Sequence, residues 1–180
     1  MERSKLLDID FLRNNHVRVY YFGLGFIQLV LNKEERIHFY PKVLDPTNDE
    51  IHNHRYNFKS EVLKGTLFEE RYKLVSGDSH ILINESCNPA IEPTNKIRIP
   101  VGVELIDANA WEEGDVYDIH FNEFHTVYTK DNTITYLKRS DIILDNAQII
   151  YEKGKVITCP FESSLEGVRL WEIIEDVINN

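Results

Sequence analysis

Short runs of β-branched and aromatic residues, each followed by a turn signal, recur along most of this chain. About eleven such runs occur, at residues 17–22, 26–32, 36–44, 54–64, 66–74, 80–85, 96–106, 115–121, 125–129, 133–139 and 147–154. No helical pattern separates them, which favours an antiparallel sandwich or barrel over a parallel sheet with crossover helices. The body of the chain is therefore predicted to be all-β.

Helical patterns are confined to the two ends of the chain. The first fifteen residues could form a short amphipathic helix. Near the other end, Ser163 and Glu166 have the spacing of a capping box, and apolar residues recur at helical spacing as far as Val177. This predicts a C-terminal α-helix over about residues 164–179, whose apolar stripe packs on the barrel or forms a homodimer contact. The 180 residues contain no linker or repeat, so one domain over 1–180 is expected, with the barrel over about 17–154.

Composition limits the partners that such a chain can have. Twenty Lys and Arg residues against thirty Asp and Glu residues give a formal net charge of −10. A negative charge of this size repels nucleic acid and anionic membranes, which leaves a small molecule as the expected partner. The first residues carry charges where a signal peptide needs an apolar core, and no apolar run approaches the length of a membrane span. The two cysteines show no metal-ligand spacing, so a reducing, cytoplasmic location is expected.

Four of the seven histidines fall in two short segments, His52 with His54 and His120 with His125. In a β-strand, residues two positions apart point to the same face, so the imidazoles of His52 and His54 can face one centre inside a barrel. A third ligand would come from another strand. Neutral imidazole binds Fe, Zn, Ni, Mn and Cu, and three such donors with open positions are typical of a reactive metal site.

The segments around these histidines resemble the two motifs of the cupin superfamily. His52 and His54 fall on the two histidines of the first motif, and Gly65 falls on its closing glycine. Gly114 and His125 fall on the opening glycine and the histidine of the second motif. The resemblance implies an antiparallel cupin-type β-barrel (jelly roll) in which His52, His54 and His125 hold a metal ion.

The departures from these motifs also carry information. Phe58 stands where the first motif has its metal-binding glutamate, which leaves a set of three histidines. The other departures are Pro46 and Asn122 at glycines, His120 at a proline and Thr129 at an asparagine. A three-histidine set resembles that of the thiol dioxygenases, among them cysteine dioxygenase, in which three histidines hold iron. The resemblance therefore implies Fe(II), with Zn, Ni and Mn as alternatives.

Three functions remain open at this stage, and the resemblance alone does not choose among them. The leading hypothesis is an Fe(II) dioxygenase of a small thiol or a similar small anion. The second is an isomerase or epimerase of a sugar or sugar nucleotide, and the third is a cupin that binds a small ligand without catalysis. In an enzyme, Tyr56, His120 and Tyr136 would be the catalytic or hydrogen-bonding candidates.

Alternation along the strands predicts which residues line the pocket. Counting from His54, the side chains of Tyr56, Phe58 and Ser60 point inward, so Phe58 and Ser60 are candidates for substrate contact. His38 is a third candidate, although the pattern over residues 36–40 does not decide which of its two faces points inward. Residues 66–74 are expected to form a half-exposed strand with Leu67 or Phe68 turned inward and Glu69 to Arg71 in water.

Overall fold

A computed structural model describes residues 2–44, 50–85, 98–155 and 167–180 of the chain. Within these residues the chain forms three helices, α1 (Arg3–Leu6), α2 (Ile9–Asn15) and α3 (Gly167–Asn179). The same residues form eleven strands, which are β1 (Arg18–Phe22), β2 (Phe26–Val30), β3 (Glu35–Tyr40), β4 (Ile51–His52), β5 (Phe58–Lys64), β6 (Thr66–Glu85), β7 (Arg98–Glu112), β8 (Val116–Ile119), β9 (Phe124–Thr129), β10 (Thr133–Arg139) and β11 (Ala147–Glu152).

The strands pair antiparallel and form two sheets. The first sheet has six strands in the order β1-β2-β3-β10-β5-β8, and the second has five in the order β11-β4-β9-β6-β7. The first half of β6 pairs with β9 and its second half pairs with β11, so the second sheet curls back on itself. This architecture confirms the predicted all-β, antiparallel fold with a C-terminal helix.

Strand β3 separates the inside of the barrel from the helix-covered outside of the first sheet. Ile37 and Phe39 are fully buried and pack in one cluster with residues of α2 and α3. Because neighbouring residues of a strand point to opposite faces, Arg36, His38 and Tyr40 point into the barrel. The structure thereby shows which face of this strand points into the barrel, which the sequence pattern left open.

Helix α3 packs its apolar stripe on the first sheet. Leu170, Ile174 and Val177 are buried in the same cluster as residues of β2 and β3. The Nζ atom of Lys64, at the end of β5, donates to the carbonyl oxygens of Val177 and Ile178 at 2.9 Å each. These bonds satisfy carbonyl groups that the last turn of a helix leaves without an intrahelical donor. The stripe that predicted the helix therefore packs on its own chain.

The N-terminal segment forms two short helices instead of the single predicted one. Asp8 has an extended backbone and caps α2, since its carboxylate accepts from the backbone N–H groups of Asp10 and Phe11 at 2.9 and 3.0 Å. The predicted capping box of Ser163 with Glu166 lies outside the described residues. No helix among the described residues is long and apolar enough to cross a membrane.

Two predicted strands, 66–74 and 80–85, are one continuous strand, β6, whose pairing with β7 is irregular between these two segments. Gly77 and Gly102 meet at the irregularity, where a Cβ on Gly77 would lie 3.0 Å from the Cα of Gly102. The two glycines let the backbones of the paired strands approach closely. Residues that favoured a turn in the sequence therefore belong to a bulged strand.

Candidate metal centre

Three histidine side chains converge inside the barrel. His52 and His125 are cross-strand partners on β4 and β9, with ring centroids 5.0 Å apart. The ring centroid of His54 lies 4.9 Å from that of His52 and 5.1 Å from that of His125. One ring nitrogen of each histidine lies within 4.8 Å of the corresponding nitrogens of the other two. In the part of the chain that the structure describes, no other three histidine, cysteine or acidic side chains meet in this way.

The spacing of these nitrogens fits a divalent ion. The Nε2 atoms of His54 and His125 lie 2.8 Å apart. Two nitrogen ligands about 2.1 Å from one ion and at right angles to each other would lie about 3.0 Å apart. The three imidazoles could therefore hold an ion after a small adjustment, and three protein ligands leave positions open for a further molecule.

A buried amide fixes the chain between His52 and His54. The backbone N–H of Asn53 donates to the carbonyl oxygen of Gln148 at 3.0 Å, and its side-chain Oδ1 accepts from the backbone N–H of Gln148 at 2.6 Å. The side chain of Asn53 also donates to Gln148 Oε1 at 3.1 Å. Strand β4 ends at His52, and β5, which was predicted over residues 54–64, begins only at Phe58. The prediction that His54 lies in a strand was wrong, but the bonds of Asn53 still leave the two imidazoles side by side.

Hydrogen bonds at Nδ1 orient two of the three rings. Nδ1 of His52 lies 3.3 Å from the carbonyl oxygen of Glu50, and Nδ1 of His125 lies 3.2 Å from Oε1 of Glu69. Both partners are acceptors, so in the neutral form of each ring the proton lies on Nδ1 and Nε2 keeps its lone pair. Metal-binding histidines are commonly held by such bonds on their far nitrogen.

Burial keeps two of these histidines neutral. Burial, reinforced by the neighbouring His125, lowers the pKa of His52 to about 3. Burial and the nearby His52 and His125 hold the pKa of His54 well below its usual range. A histidine must be neutral to bind a metal ion, so these rings are ready to act as ligands at neutral pH without losing a proton.

Aromatic side chains cover one side of the histidine group. The ring centroid of Phe58 lies 4.7 Å from that of His54 and 6.2 Å from that of His125, and Phe58 is buried. The ring of Tyr56 lies 5.8 Å from that of His54. An apolar ring therefore stands beside the histidines, at the motif position where the resemblance expects a carboxylate.

A cluster of nitrogen donors lies on the inner wall next to Tyr56. Arg36 donates from NH1 to the Tyr56 hydroxyl at 2.8 Å, and the guanidinium carbons of Arg36 and Arg139 lie 5.3 and 5.1 Å from the Tyr56 ring. The Nε atoms of both arginines and Nε2 of His38 are buried and have no hydrogen-bond partner. Buried polar atoms nearly always have partners, so this wall has unused capacity to bind a ligand, and its two guanidinium groups favour an anion.

Glu69 lies at the histidine group, so the prediction that its side chain is exposed to water was wrong. It is only 1% exposed, and its carboxylate contacts the metal-side histidine His125. Leu67 is fully buried in the same strand, and Glu69 lies two positions further on the same face. Alternation from Leu67 was the signal that could have found it, but its charge favoured an exposed position.

The remaining predicted site residues lie at different places. Ser60 is buried on the inner face of β5. Tyr136 pairs with Ile37 and so points to the opposite face, where its hydroxyl donates to Glu35. His120 is exposed in the turn after β8. Neither Tyr136 nor His120 joins the three histidines, and both line a groove of about 590 Å³ along β5, β8 and β10.

Comparison with known proteins finds distant structural similarity. No family model and no curated protein matches the chain. Drosophila melanogaster CENP-C bound to CAL1 has a TM-score of 0.42 and 10% identity over 76% of this chain and 95% of that chain. The CENP-C cupin domain has a TM-score of 0.39 and 9% identity over 68% and 76% of the two chains. Hydroquinone 1,2-dioxygenase from Sphingomonas sp. TTNP3 has a TM-score of 0.32 and 8% identity over 60% of each chain.

Proposed function

We propose that this protein is an Fe(II)-dependent dioxygenase that oxidises a small thiol or a similar small anion. The observation that carries the proposal is the convergence of His52, His54 and His125 within 4.8 Å, with Phe58 beside them and no carboxylate in the group. Iron, when bound, supplies the electron chemistry that lets O₂ react with an organic molecule. Addition of both oxygen atoms of O₂ to a thiol gives a sulfinic acid, which balances the reaction without a further reductant.

The charge of the histidine group favours an anionic substrate. His52 and His54 are neutral at physiological pH because burial lowers the pKa of each ring. Three imidazoles without a carboxylate leave the charge of a divalent ion uncompensated. A thiolate or an enediolate-like anion would compensate it, so substrate binding should strengthen as the substrate loses its proton.

The inner wall supports the same class of substrate. Arg36 and Arg139 flank Tyr56, and each has a buried Nε–H without an acceptor. A carboxylate or another oxyanion on the substrate would accept hydrogen bonds from these groups and from the tyrosine hydroxyl. Such contacts would orient the substrate and exclude water from the histidine group.

The isomerase alternative has weaker support from the residues on this wall. An isomerase or epimerase needs a proton acceptor whose pKa is close to the working pH. Burial and the nearby Arg36 lower the pKa of His38 to about 3, so this ring is a poor base at neutral pH. The non-catalytic alternative uses the same unpartnered donors, and only a turnover experiment separates it from the dioxygenase.

Oxygen uptake by the iron-loaded protein tests the proposal. We expect uptake with at least one member of a panel of small thiols, with and without a carboxylate, and formation of one sulfinate for each O₂ consumed. His54→Ala should abolish uptake. Arg36→Gln should raise KM about tenfold or more for a carboxylate-bearing thiol, since hydrogen bonds to charged groups contribute about 1.5–3 kcal/mol. The matched control, Arg55→Gln, changes an exposed arginine and should leave KM unchanged.

The outcomes separate the three functions. A fully iron-loaded protein that consumes no O₂ with any member of the panel would contradict the dioxygenase. Tight binding of a thiol or carboxylate without turnover would then favour the ligand-binding cupin. Conversion of a sugar or sugar nucleotide by metal-loaded protein, without O₂ uptake, would favour the isomerase.

A further inference from the structure

The carboxylate of Glu69 is a buried charge with three partners. Its Oε1 atom lies 3.2 Å from Nδ1 of His125, and its Oε2 atom accepts from Nε1 of Trp111 at 3.0 Å. The guanidinium of Arg71 donates to Oε2 from NH2 at 3.3 Å. The Nε atom of Arg71 lies 3.2 Å from Oε1 but is not aligned for a hydrogen bond, so this contact is an ion pair only. A carboxylate that is 1% exposed is stable only when it is paired in this way.

These contacts fix more than the position of Glu69. A carboxylate only accepts hydrogen bonds, so in the neutral form of His125 the ring proton must lie on Nδ1. The lone pair of Nε2 then points at the histidine group, where it lies 2.8 Å from Nε2 of His54. Rotation of the His125 ring would break the bond to Glu69 and leave a buried charge short of a donor. Glu69 therefore sets both the tautomer and the orientation of this ring.

The same network extends to the turn that precedes the strand of His125. Arg71 also donates to Oε1 of Glu123 at 3.4 Å and to the carbonyl oxygen of Asp118 at 3.1 Å. Glu123 in turn accepts from the backbone N–H of His120 at 2.7 Å through its other oxygen. The turn between β8 and β9 is thus connected to Glu69 through one arginine, and this connection holds the start of β9 against β6.

We infer that Glu69 is the positioning residue of the metal centre, because it fixes the tautomer and the orientation of the His125 ring from one hydrogen bond behind it. This inference rests on metal binding by the three histidines. A carboxylate behind a ligand imidazole raises its basicity and holds its geometry, and loss of such a partner typically costs 10–100-fold in metal affinity. The Glu69–His125 pair is therefore expected to strengthen metal binding without touching the ion.

Cobalt(II) binding tests this role, because its affinity and its visible spectrum both report on the ligand field. Glu69→Gln keeps the size of the side chain and removes its charge. We expect it to weaken Co(II) binding about 10–100-fold and to shift the visible absorption bands of bound Co(II). Glu69→Asp, which keeps the charge, should recover part of the affinity. The matched control is Glu70→Gln, because Glu70 follows on the same strand, points to the other face and pairs with Tyr72.

The outcomes separate this inference from the metal site on which it rests. A Glu69→Gln variant with the affinity and spectrum of the wild type would overturn the positioning role and leave the metal site standing. A wild-type protein that binds no Co(II) would overturn both. A second measurement needs no variant: nitrogen NMR of the metal-free wild type should find the proton of His125 on Nδ1, and a proton on Nε2 would overturn the inference even if Glu69→Gln fails to fold.

Discussion

Acidification of the metal-free protein is expected to lower its free energy of unfolding, because three partly buried histidines are neutral in the fold. Burial and Arg36 lower the pKa of His38 to about 3, and burial and His125 do the same for His52. The pKa of His54 also lies well below its usual range. The unfolded chain binds protons at these residues below about pH 6.5, while the folded chain does not. Their contribution is therefore complete above that pH and is lost as the pH falls towards the folded-state values.

The size of the effect follows from the two sets of pKa values. One histidine with a pKa of about 6.5 in the unfolded chain and about 3 in the fold lowers the free energy of unfolding by about 2 kcal/mol at pH 5, relative to neutral pH. His38 and His52 together give about 4 kcal/mol, which is a large share of the usual stability of a domain, and the lowered pKa of His54 acts in the same direction. The carboxylates of Glu35 and Glu69 have lowered pKa values, so their contributions are lost only below about pH 4.5 and do not enter this window.

Urea unfolding of chelator-treated protein measures this loss. We expect the free energy of unfolding to fall by several kcal/mol between about pH 7 and about pH 5. His38→Gln removes one of the three groups, so its loss should be smaller by about 2 kcal/mol. A change of less than about 1 kcal/mol in the wild type, or an equal loss in both proteins, would refute the argument that these rings are held neutral.

Two substitutions at neighbouring residues test the contact of α3 with the first sheet and the close backbone approach at Gly65. Lys64→Gln should lower the free energy of unfolding by about 1.5–3 kcal/mol, because Nζ donates to two carbonyl oxygens of α3 at 2.9 Å. Thermal denaturation measures this loss. The control Lys59→Gln, at an exposed residue of the same strand, should leave the stability unchanged. Gly65→Ala should cost clearly more than Gly114→Ala in the same measurement. Both glycines have positive φ, but a Cβ on Gly65 would lie 2.5 Å from Asn132 O, whereas one on Gly114 meets nothing within 4 Å. Equal costs would show that the crowding at Gly65 is relieved.

Alternation of apolar and polar residues predicted the strands because one face of such a strand packs against other parts of the protein. The alternation of Ile37 and Phe39 with Arg36 and His38 is clear in the sequence, but it does not say which pair faces the inside of the barrel. The helices packed on Ile37 and Phe39 show that Arg36 and His38 face the inside. The apolar stripe of α3 predicted its packing for the same reason. Where the chain uses glycines to bend a strand, as at Gly77 in β6, the same residues suggested a break and gave two strands instead of one.

The convergence of the three histidines could be predicted because the spacing of the two motifs and the pairing of their strands bring the same residues together. His52 and His125 are far apart in sequence and become neighbours through one cross-strand pair. The hydrogen-bond partners of these histidines could not be predicted, since they depend on contacts between strands that are far apart in sequence. Glu69 reaches His125 from a strand whose charges suggested water, and Asn53 finds Gln148 on β11. The catalytic roles suggested for His120 and Tyr136 stay predictions, and neither side chain joins the histidine group.

Metal content tests the central claim most directly. Protein loaded with Fe(II) without oxygen, then freed of excess metal by gel filtration, should retain about one ion per chain by elemental analysis, as expected for one group of three ligands. His54→Ala should retain almost none, while His80→Ala, on β6 and outside the group, should retain as much as the wild type. Failure of the wild type to retain Fe, and likewise Zn, Ni or Mn when each is loaded in its place, would contradict the account, as would full retention by His54→Ala.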